Sequence, residues 1–178
     1  MQPDEERMPL VEIRQLDASL GGLSWQISPT FKAELASVNI SASGQRWLLQ
    51  EGAGRLGPAA LTFSGKIELQ KNNPPIIALQ LDGDTETAGL LAILPLAGQG
   101  AFNMTGVSPF RARLTGTPER INLDIEAELD AVDVIYSEFL RLPPQEGSRI
   151  TLHGTLTDGH LNIEHARAMH GPYSLQAS

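Results

Sequence analysis

Residues 110–131, FRARLTGTPERINLDIEAELDA, decide the fold that this sequence predicts. From residue 121 onward, apolar residues at odd positions alternate with polar residues at even positions as far as residue 130. Such a period of two is typical of a β-strand with one buried and one wet face. Phe110, Ala112 and Leu114 alternate in the same way before the segment TPER. The stretch therefore predicts a β-hairpin that turns at residues 117–120.

The hydrophobic pattern also predicts the register of this hairpin. Keeping both apolar sets on one face places Leu114 opposite Leu123. The same register brings two pairs of opposite charge together on the other face, Arg113 with Asp124 and Arg111 with Glu126. Cross-strand pairs of this kind contribute roughly 0.2–1 kcal/mol each. We interpret the acidic residues of this strand as a solvated, salt-bridged sheet face rather than a calcium site or a general acid/base pair, because a flat strand lacks the wrapped loop that calcium uses.

Alternation of the same kind recurs along most of the chain. Residues 61–69 and 77–81 continue the apolar face, separated by the breaker KNNPP. Residues 11–20 and 31–42 alternate too, but each changes phase once, at 14–15 and at 37–38, where we expect a β-bulge. The pattern predicts at least eight strands, mostly joined by hairpins.

A second predicted hairpin is ITLHGTLTDGHLNIEHARAMHG, residues 150–171. Its Asp158-Gly159 pair favours a two-residue type I′ turn. That turn places Leu156 opposite Leu161 and His153 opposite Glu164.

One segment, DTETAGLLAILP at residues 84–95, predicts a short helix instead of a strand. Asp84 is a plausible N-cap, Glu86 falls in the first turn and Pro95 ends the segment. Residues 134–142 remain ambiguous between a helical turn and an irregular strand.

Composition narrows the range of functions. A net charge of −8 without a dense Lys/Arg cluster argues against nucleic acid as a partner. The absence of cysteine excludes disulfides, thiolate catalysis and cysteine-ligated zinc. The longest apolar run, residues 88–97, is about half of the roughly 20 residues that a membrane helix needs. We expect residues 1–178 to form one β-rich module with a flexible start at residues 1–8, and any export signal or anchor to lie outside this sequence.

The sequence contains no motif that carries catalysis. A nucleophile elbow, a phosphate loop and a dinucleotide fingerprint are all missing. A metal site at His160, Glu164 and His165 is disfavoured because alternation turns Glu164 and His165 to opposite faces. We therefore expect no enzymatic activity, no catalytic residue, no cofactor and no metal.

Four stretches, at residues 10–23, 59–69, 79–95 and 150–171, resemble the AsmA-like family, the AsmA/TamB-type bacterial envelope proteins with a repeated β-hairpin groove. The resemblance implies a long twisted sheet curled into an apolar groove that conducts phospholipid acyl chains between the inner and outer membranes. It also implies a periplasmic location, with this chain either a segment of a longer protein anchored in the inner membrane or a small relative of such proteins.

We therefore expect an all-β fold, an antiparallel twisted or curved sheet that forms an open groove or half-barrel, with one short helix. Glycines in the apolar rows, such as Gly65, Gly116 and Gly154, are expected to leave room for a chain-like ligand. The lipid-facing residues of the groove are expected to be Leu79, Leu81, Leu114, Leu123, Ile125, Leu129, Leu152, Leu156, Leu161 and Ile163.

Two functions remain open at this point. The first is a lipid-binding groove whose partners are phospholipid acyl chains and the flanking β-modules of the same chain or envelope proteins. The second is a structural or assembly module of the envelope that binds protein partners and no lipid, for which a closed β-sandwich would show the same alternation.

Overall fold

The computed structural model describes residues 16–28, 31–57, 59–86, 102–136, 140–157 and 160–177, in which β-strands are joined by turns and short loops. They form thirteen strands and no helix. The strands are β1 (Leu16–Ser28), β2 (Phe31–Ser43), β3 (Arg46–Leu56), β4 (Ala59–Glu68), β5 (Ile76–Glu86), β6 (Phe102–Thr105), β7 (Val107–Thr117), β8 (Arg120–Glu128), β9 (Asp133–Tyr136), β10 (Leu140–Leu142), β11 (Arg149–Thr157), β12 (His160–His170) and β13 (Tyr173–Ala177).

Ten of these strands form one open antiparallel sheet in the order β1-β2-β3-β4-β5-β7-β8-β11-β12-β13. The order follows the chain, with β6 and then β9 and β10 set aside in a second sheet of three strands. β1 and β13 are the two edges of the large sheet, so each leaves one row of backbone N–H and C=O groups without a neighbouring strand in the part of the chain that the structure describes.

The hairpin of residues 110–131 is confirmed in its register. Leu114 lies opposite Leu123 in the β7–β8 ladder. The two predicted pairs of opposite charge also face each other there, Arg113 with Asp124 and Arg111 with Glu126. The alternation of side chains between the two faces accounts for this agreement. A shift of the register by one residue would turn the leucines of one strand toward solvent.

The second hairpin is confirmed near its turn and wrong farther from it. Leu156 lies opposite Leu161, as predicted. His153, however, lies opposite His165 rather than Glu164, because a bulge shifts the register between β11 and β12. The Asp158-Gly159 turn itself lies outside the described residues.

The cause of this bulge is a change of phase in β12. Leu161 and Ile163 occupy the apolar face at odd positions, whereas Ala166 and Ala168 occupy it at even positions. The bulge leaves Glu164 of β12 without a cross-strand partner on β11. Without this extra residue, Arg167 would point to the apolar face. The predicted bulge at residues 37–38 arises for the same reason and is confirmed, since the β2–β3 register shifts on both sides of Ser37. The predicted phase change at 14–15 lies outside the described residues.

The predicted helix is wrong where the structure describes it. Residues 84–86 continue strand β5, with Asp84 opposite Ala60 on one side and Pro109 on the other. Pairing with two neighbouring strands outweighs the capping signal of Asp84, because local propensity is a weak prior against tertiary pairing. Residues 87–95 lie outside the described residues. The ambiguous segment at 134–142 forms β9 and β10, apart from residues 137–139, which the structure does not describe.

The best-packed core lies beneath the small sheet, in the order β10-β9-β6. Met104, Leu129, Val132 and Val134 are buried there, and Ile150 packs against them from β11. This cluster fastens the small sheet to the end of β8 and the start of β11.

Replacing Gly65 by alanine should destabilise the sheet, because an added Cβ would collide with the carbonyl oxygen of Ala78 on the next strand. We expect a loss of about 1–3 kcal/mol in the free energy of unfolding, measured by urea titration. Gly44 in the β2–β3 turn is the control, since a Cβ there meets nothing within 4 Å. Its replacement by asparagine, which tolerates positive φ, should cost less than about 0.5 kcal/mol. Equal losses in the two variants would contradict the close approach of β4 and β5 at Gly65.

Candidate functional site

The apolar face of the ten-stranded sheet is organised as lateral rows, in which cross-strand partners line up from strand to strand. Four such rows, listed here from the β1 side to the β13 side, define the apolar face. Row one is Leu16, Ala42, Trp47, Ile67, Ile77, Gly116, Ile121, Leu156 and Leu161; row two is Ala18, Ile40, Leu49, Gly65, Leu79, Leu114, Leu123, Gly154 and Ile163; row three is Gly52, Phe63, Leu81, Ala112, Ile125, Leu152, Ala166 and Ala177; row four is Leu23, Leu35, Gly54, Leu61, Gly83, Phe110, Ala127, Ile150, Ala168 and Leu175.

These rows contain every predicted groove residue except Leu129. The register places the other nine on one face, in the first three rows: Leu79, Leu81, Leu114, Leu123, Ile125, Leu152, Leu156, Leu161 and Ile163. Leu129 follows the end of β8 and is instead 7% exposed in the core beneath the small sheet. Leu129 therefore packs the end of the sheet.

The central part of the apolar face is half-buried, and its margins are more exposed. Leu79, Leu114 and Leu123 are half-buried, whereas Leu175 on the edge strand β13 is 73% exposed. The extensive contacts between described strands join neighbours within one sheet. No described second sheet therefore packs face to face over the central rows.

The glycines of the apolar rows do not leave the open room that the sequence analysis expects. At Gly65 the side chain of Leu79 and the backbone of Ala78 occupy the place of a Cβ. At Gly154 the backbone of Asn162 lies in that place. These glycines are needed because adjacent strands approach closely, so any ligand has to lie on the rows and not in gaps within them.

The opposite, polar face carries rows of compensated charge. Arg111 Nε donates to Asp82 Oδ1 at 2.8 Å, so its ion-pair partner is on β5 and not the predicted Glu126 on β8. The side-chain hydrogen bond from Arg111, followed by one from Gln80, lowers the pKa of Asp82. The Oε1 atom of Glu126 lies 3.8 Å from Nη1 of Arg149 instead. Register therefore predicts which charges are neighbours but not which of two neighbours forms the contact.

His153 is the best-connected titratable group on the polar face. Its Nδ1 lies 2.6 Å from Asp124 Oδ1, and its Nε2 lies 3.6 Å from Glu164 Oε2. Its ring stacks on that of His165, with the centroids 6.4 Å apart. Thr155 Oγ1 donates to Glu164 Oε1 at 2.7 Å, which holds this carboxylate beside the histidine. The hydrogen bond with Asp124 raises the pKa of His153, against the opposing effect of burial, and the charges of Asp124 and Glu164 act in the same direction as the hydrogen bond.

Among the shallow depressions on the polar face, two are lined by several charged side chains. One of about 490 Å³ is lined by residues that include Asp82, Arg111 and Glu128. The other, of about 470 Å³, is lined by residues that include His153 and Arg167. The charged groups that line the first are four carboxylates and one guanidinium, and those that line the second are three arginines, two histidines and two carboxylates.

A serine–histidine contact that the sequence did not predict lies in the large sheet, where β11 begins and β12 ends. Ser148 Oγ is 3.0 Å from His170 Nδ1, and the backbone N–H of Ser148 donates to Asp130 Oδ1 at 2.8 Å. A serine that acts as a catalytic nucleophile needs a base within hydrogen-bond distance, and a histidine can serve as that base. Ser148 is only 1% exposed, however, so a substrate has no access to its hydroxyl. The contact joins the start of β11 to the end of β12.

Metal-ligating groups do not converge in the described ranges. Within them, no group of three or more His, Cys, Asp or Glu side chains could hold a metal ion.

Comparisons with known proteins add no relative. No protein-family model, curated protein or solved structure matches the chain. Among the residues that the structure describes, no helix is long and apolar enough to cross a membrane.

Replacing Asp124 by asparagine should lower the pKa of His153 toward its ordinary value of 6.5, because the carboxylate that favours the imidazolium loses its charge. An NMR titration of the imidazole signals measures this directly. Since the folded-state pKa is raised, His153 stabilises the fold fully below the unfolded-state pKa, and this contribution is lost as pH rises through the folded-state pKa. The free energy of unfolding of the Asp124→Asn variant should therefore fall below that of the unmodified chain at about pH 5.5, and the difference should be smaller at about pH 8.5.

The exposed Asp84 at the end of β5 provides the control for this titration. Asp84→Asn removes the same charge and should leave the pKa of His153 where it is. An unchanged His153 titration in the Asp124→Asn variant would contradict the 2.6 Å contact.

Proposed function

We propose that this chain is a non-enzymatic lipid-binding module whose apolar face holds phospholipid acyl chains, and that it contributes to phospholipid transport between the inner and outer membranes of a Gram-negative envelope. The observation that carries the proposal is the set of four apolar rows, whose central part runs across the sheet without a described second sheet over it, the small sheet packing only at Ile150 of row four. Apolar surface of this extent on one chain normally marks a ligand or partner site. The periplasmic location and the transport role rest on the resemblance to the AsmA-like family.

The dimensions of the rows suit an acyl chain. Row two crosses nine strands, from Ala18 to Ile163, and at about 4.8 Å between strands it spans about 38 Å. A bilayer core of about 30 Å holds two layers of acyl chains, so one chain extends about 15 Å. Each buried CH₂ contributes about 0.8 kcal/mol, so a chain of a dozen methylenes can bind without a specific head-group contact.

A structural or assembly module is the second candidate, and the edge strand β13 favours it. Tyr173 and Leu175 are 72% and 73% exposed on this strand, and no other described strand pairs with its outer backbone groups. Flanking β-modules or envelope proteins would add to this edge by main-chain hydrogen bonds. In that function the apolar face would be covered by protein and would bind no lipid.

Neighbouring residues of β8 test the proposal, because they point to opposite faces. Ile125→Asp places a charge in row three, whereas Glu126→Lys changes the charge on the polar face. We expect native mass spectrometry of gently purified protein to detect co-purified phospholipid with the unmodified chain and with Glu126→Lys. Ile125→Asp and Leu123→Asp should reduce the bound fraction at least about tenfold, because a buried unpaired carboxylate is costly.

Circular dichroism and urea unfolding of each variant separate loss of binding from loss of fold. Ile125→Ser adds a variant with less destabilisation, and we expect a partial loss of lipid. Absence of phospholipid from the unmodified chain would overturn the proposal and leave the structural module in its place. Equal losses in Ile125→Asp and Glu126→Lys would show that the lipid does not lie on the apolar face.

A further inference from the structure

The apolar face holds one polar atom whose bonding is incomplete. Among the described residues, the buried side-chain polar atom without a hydrogen-bond partner is Nε1 of Trp47. Trp47 lies on β3 in row one, and its ring as a whole is half-buried. Buried tryptophan N–H groups normally find an acceptor, so this donor calls for an explanation.

The neighbours of Trp47 supply no acceptor. Its cross-strand partners are Ala42 on β2 and Ile67 on β4, both with hydrocarbon side chains. Ala42 is only 1% exposed, so the β2 side of the indole is closed to solvent. No acceptor on the described strands lies within hydrogen-bond distance of the indole N–H. An acceptor for the indole therefore has to come from outside the sheet.

The surroundings of the donor select the kind of acceptor. A trapped water would need two to four polar partners, and the side chains along this row are apolar. An ester carbonyl is different, because it accepts one hydrogen bond, needs no donor in return and is attached to its own apolar chain. An acyl ester thus satisfies a single donor within an apolar row, which a plain hydrocarbon cannot do.

We propose that Trp47 Nε1 donates a hydrogen bond to the ester carbonyl of a bound acyl lipid, and so selects ester-linked acyl chains over hydrocarbon chains of the same length. This inference rests on the proposed lipid-binding function and names the chemical class of its ligand. The N–H is buried in this structure, so the ligand reaches it by a local rearrangement beside the indole. Trp47 is a specificity-determining residue, and the rows themselves supply the bulk of the affinity.

The experiment compares two probes that differ at the carbonyl. One is a short-chain phosphatidylglycerol with two ester-linked chains, and the other is its dialkyl ether counterpart with the same chain length and head group. The ¹⁵N-labelled chain has two tryptophans and therefore two indole N–H signals, and Trp47→Phe identifies which one belongs to Trp47. We expect both probes to bind, and the ester probe alone to shift the Trp47 indole proton downfield. The ester probe should bind roughly 3- to 10-fold more tightly than the ether probe, and this preference should disappear in Trp47→Phe.

The outcomes separate this inference from the function on which it rests. Binding of neither probe overturns the proposed function, and this inference with it. Binding of both probes with equal affinity and an unmoved Trp47 signal overturns only the role of Trp47. The comparison of the two probes on the unmodified chain keeps the test valid even where Trp47→Phe fails to fold.

Discussion

The lateral alignment of apolar side chains across antiparallel strands is the constraint on which the rest of the structure depends. Side chains alternate between faces with a period of two, so one uncorrected slip would exchange the apolar and polar faces of a whole strand. The sequence changes phase in β2 and in β12, and each change coincides with a bulge beside Ser37 or Glu164. Because the bulges restore the phase, row four crosses all ten strands, from Leu23 to Leu175. The two faces therefore remain chemically distinct from edge to edge.

This arrangement produces a sheet that is packed at one end and open along its length. The buried cluster around Val132 joins the small sheet to the large one, whereas the central rows gain their partial burial within the large sheet. A ligand that binds the folded chain and not the unfolded chain adds to its stability by mass action. On the opposite face, acidic side chains pair with basic ones, as Asp82 does with Arg111 and Asp124 with His153. These paired side chains remain exposed to solvent. The chain thus separates a half-buried apolar face from a solvated face of paired charges.

Sequence alone predicts the parts of this structure that depend on periodicity. The β7–β8 register follows from alternation, and the phase change at residues 37–38 locates the bulge of β2. The phase of Ala166 and Ala168 carries the same signal for the β12 bulge, whereas the two-residue turn alone predicts an unbroken ladder. The signal of Asp84 for a helix failed because pairing of β5 with two strands is not visible in a local window. Contacts between distant residues, such as Ser148 with His170, and the unpartnered indole of Trp47 depend on the assembled fold and leave no local pattern.

The central claim is that acyl chains lie on the apolar face, and photocrosslinking tests it on the unmodified chain. A phospholipid with a diazirine near the middle of its acyl chain is added to the purified protein, and the labelled residues are mapped by mass spectrometry. The account predicts labels on β8 at residues 121, 123 and 125, and on matching positions of β5 and β7, with competition by unlabelled phospholipid. Labels at residues 122, 124 and 126, or labelling that unlabelled phospholipid does not reduce, would contradict it.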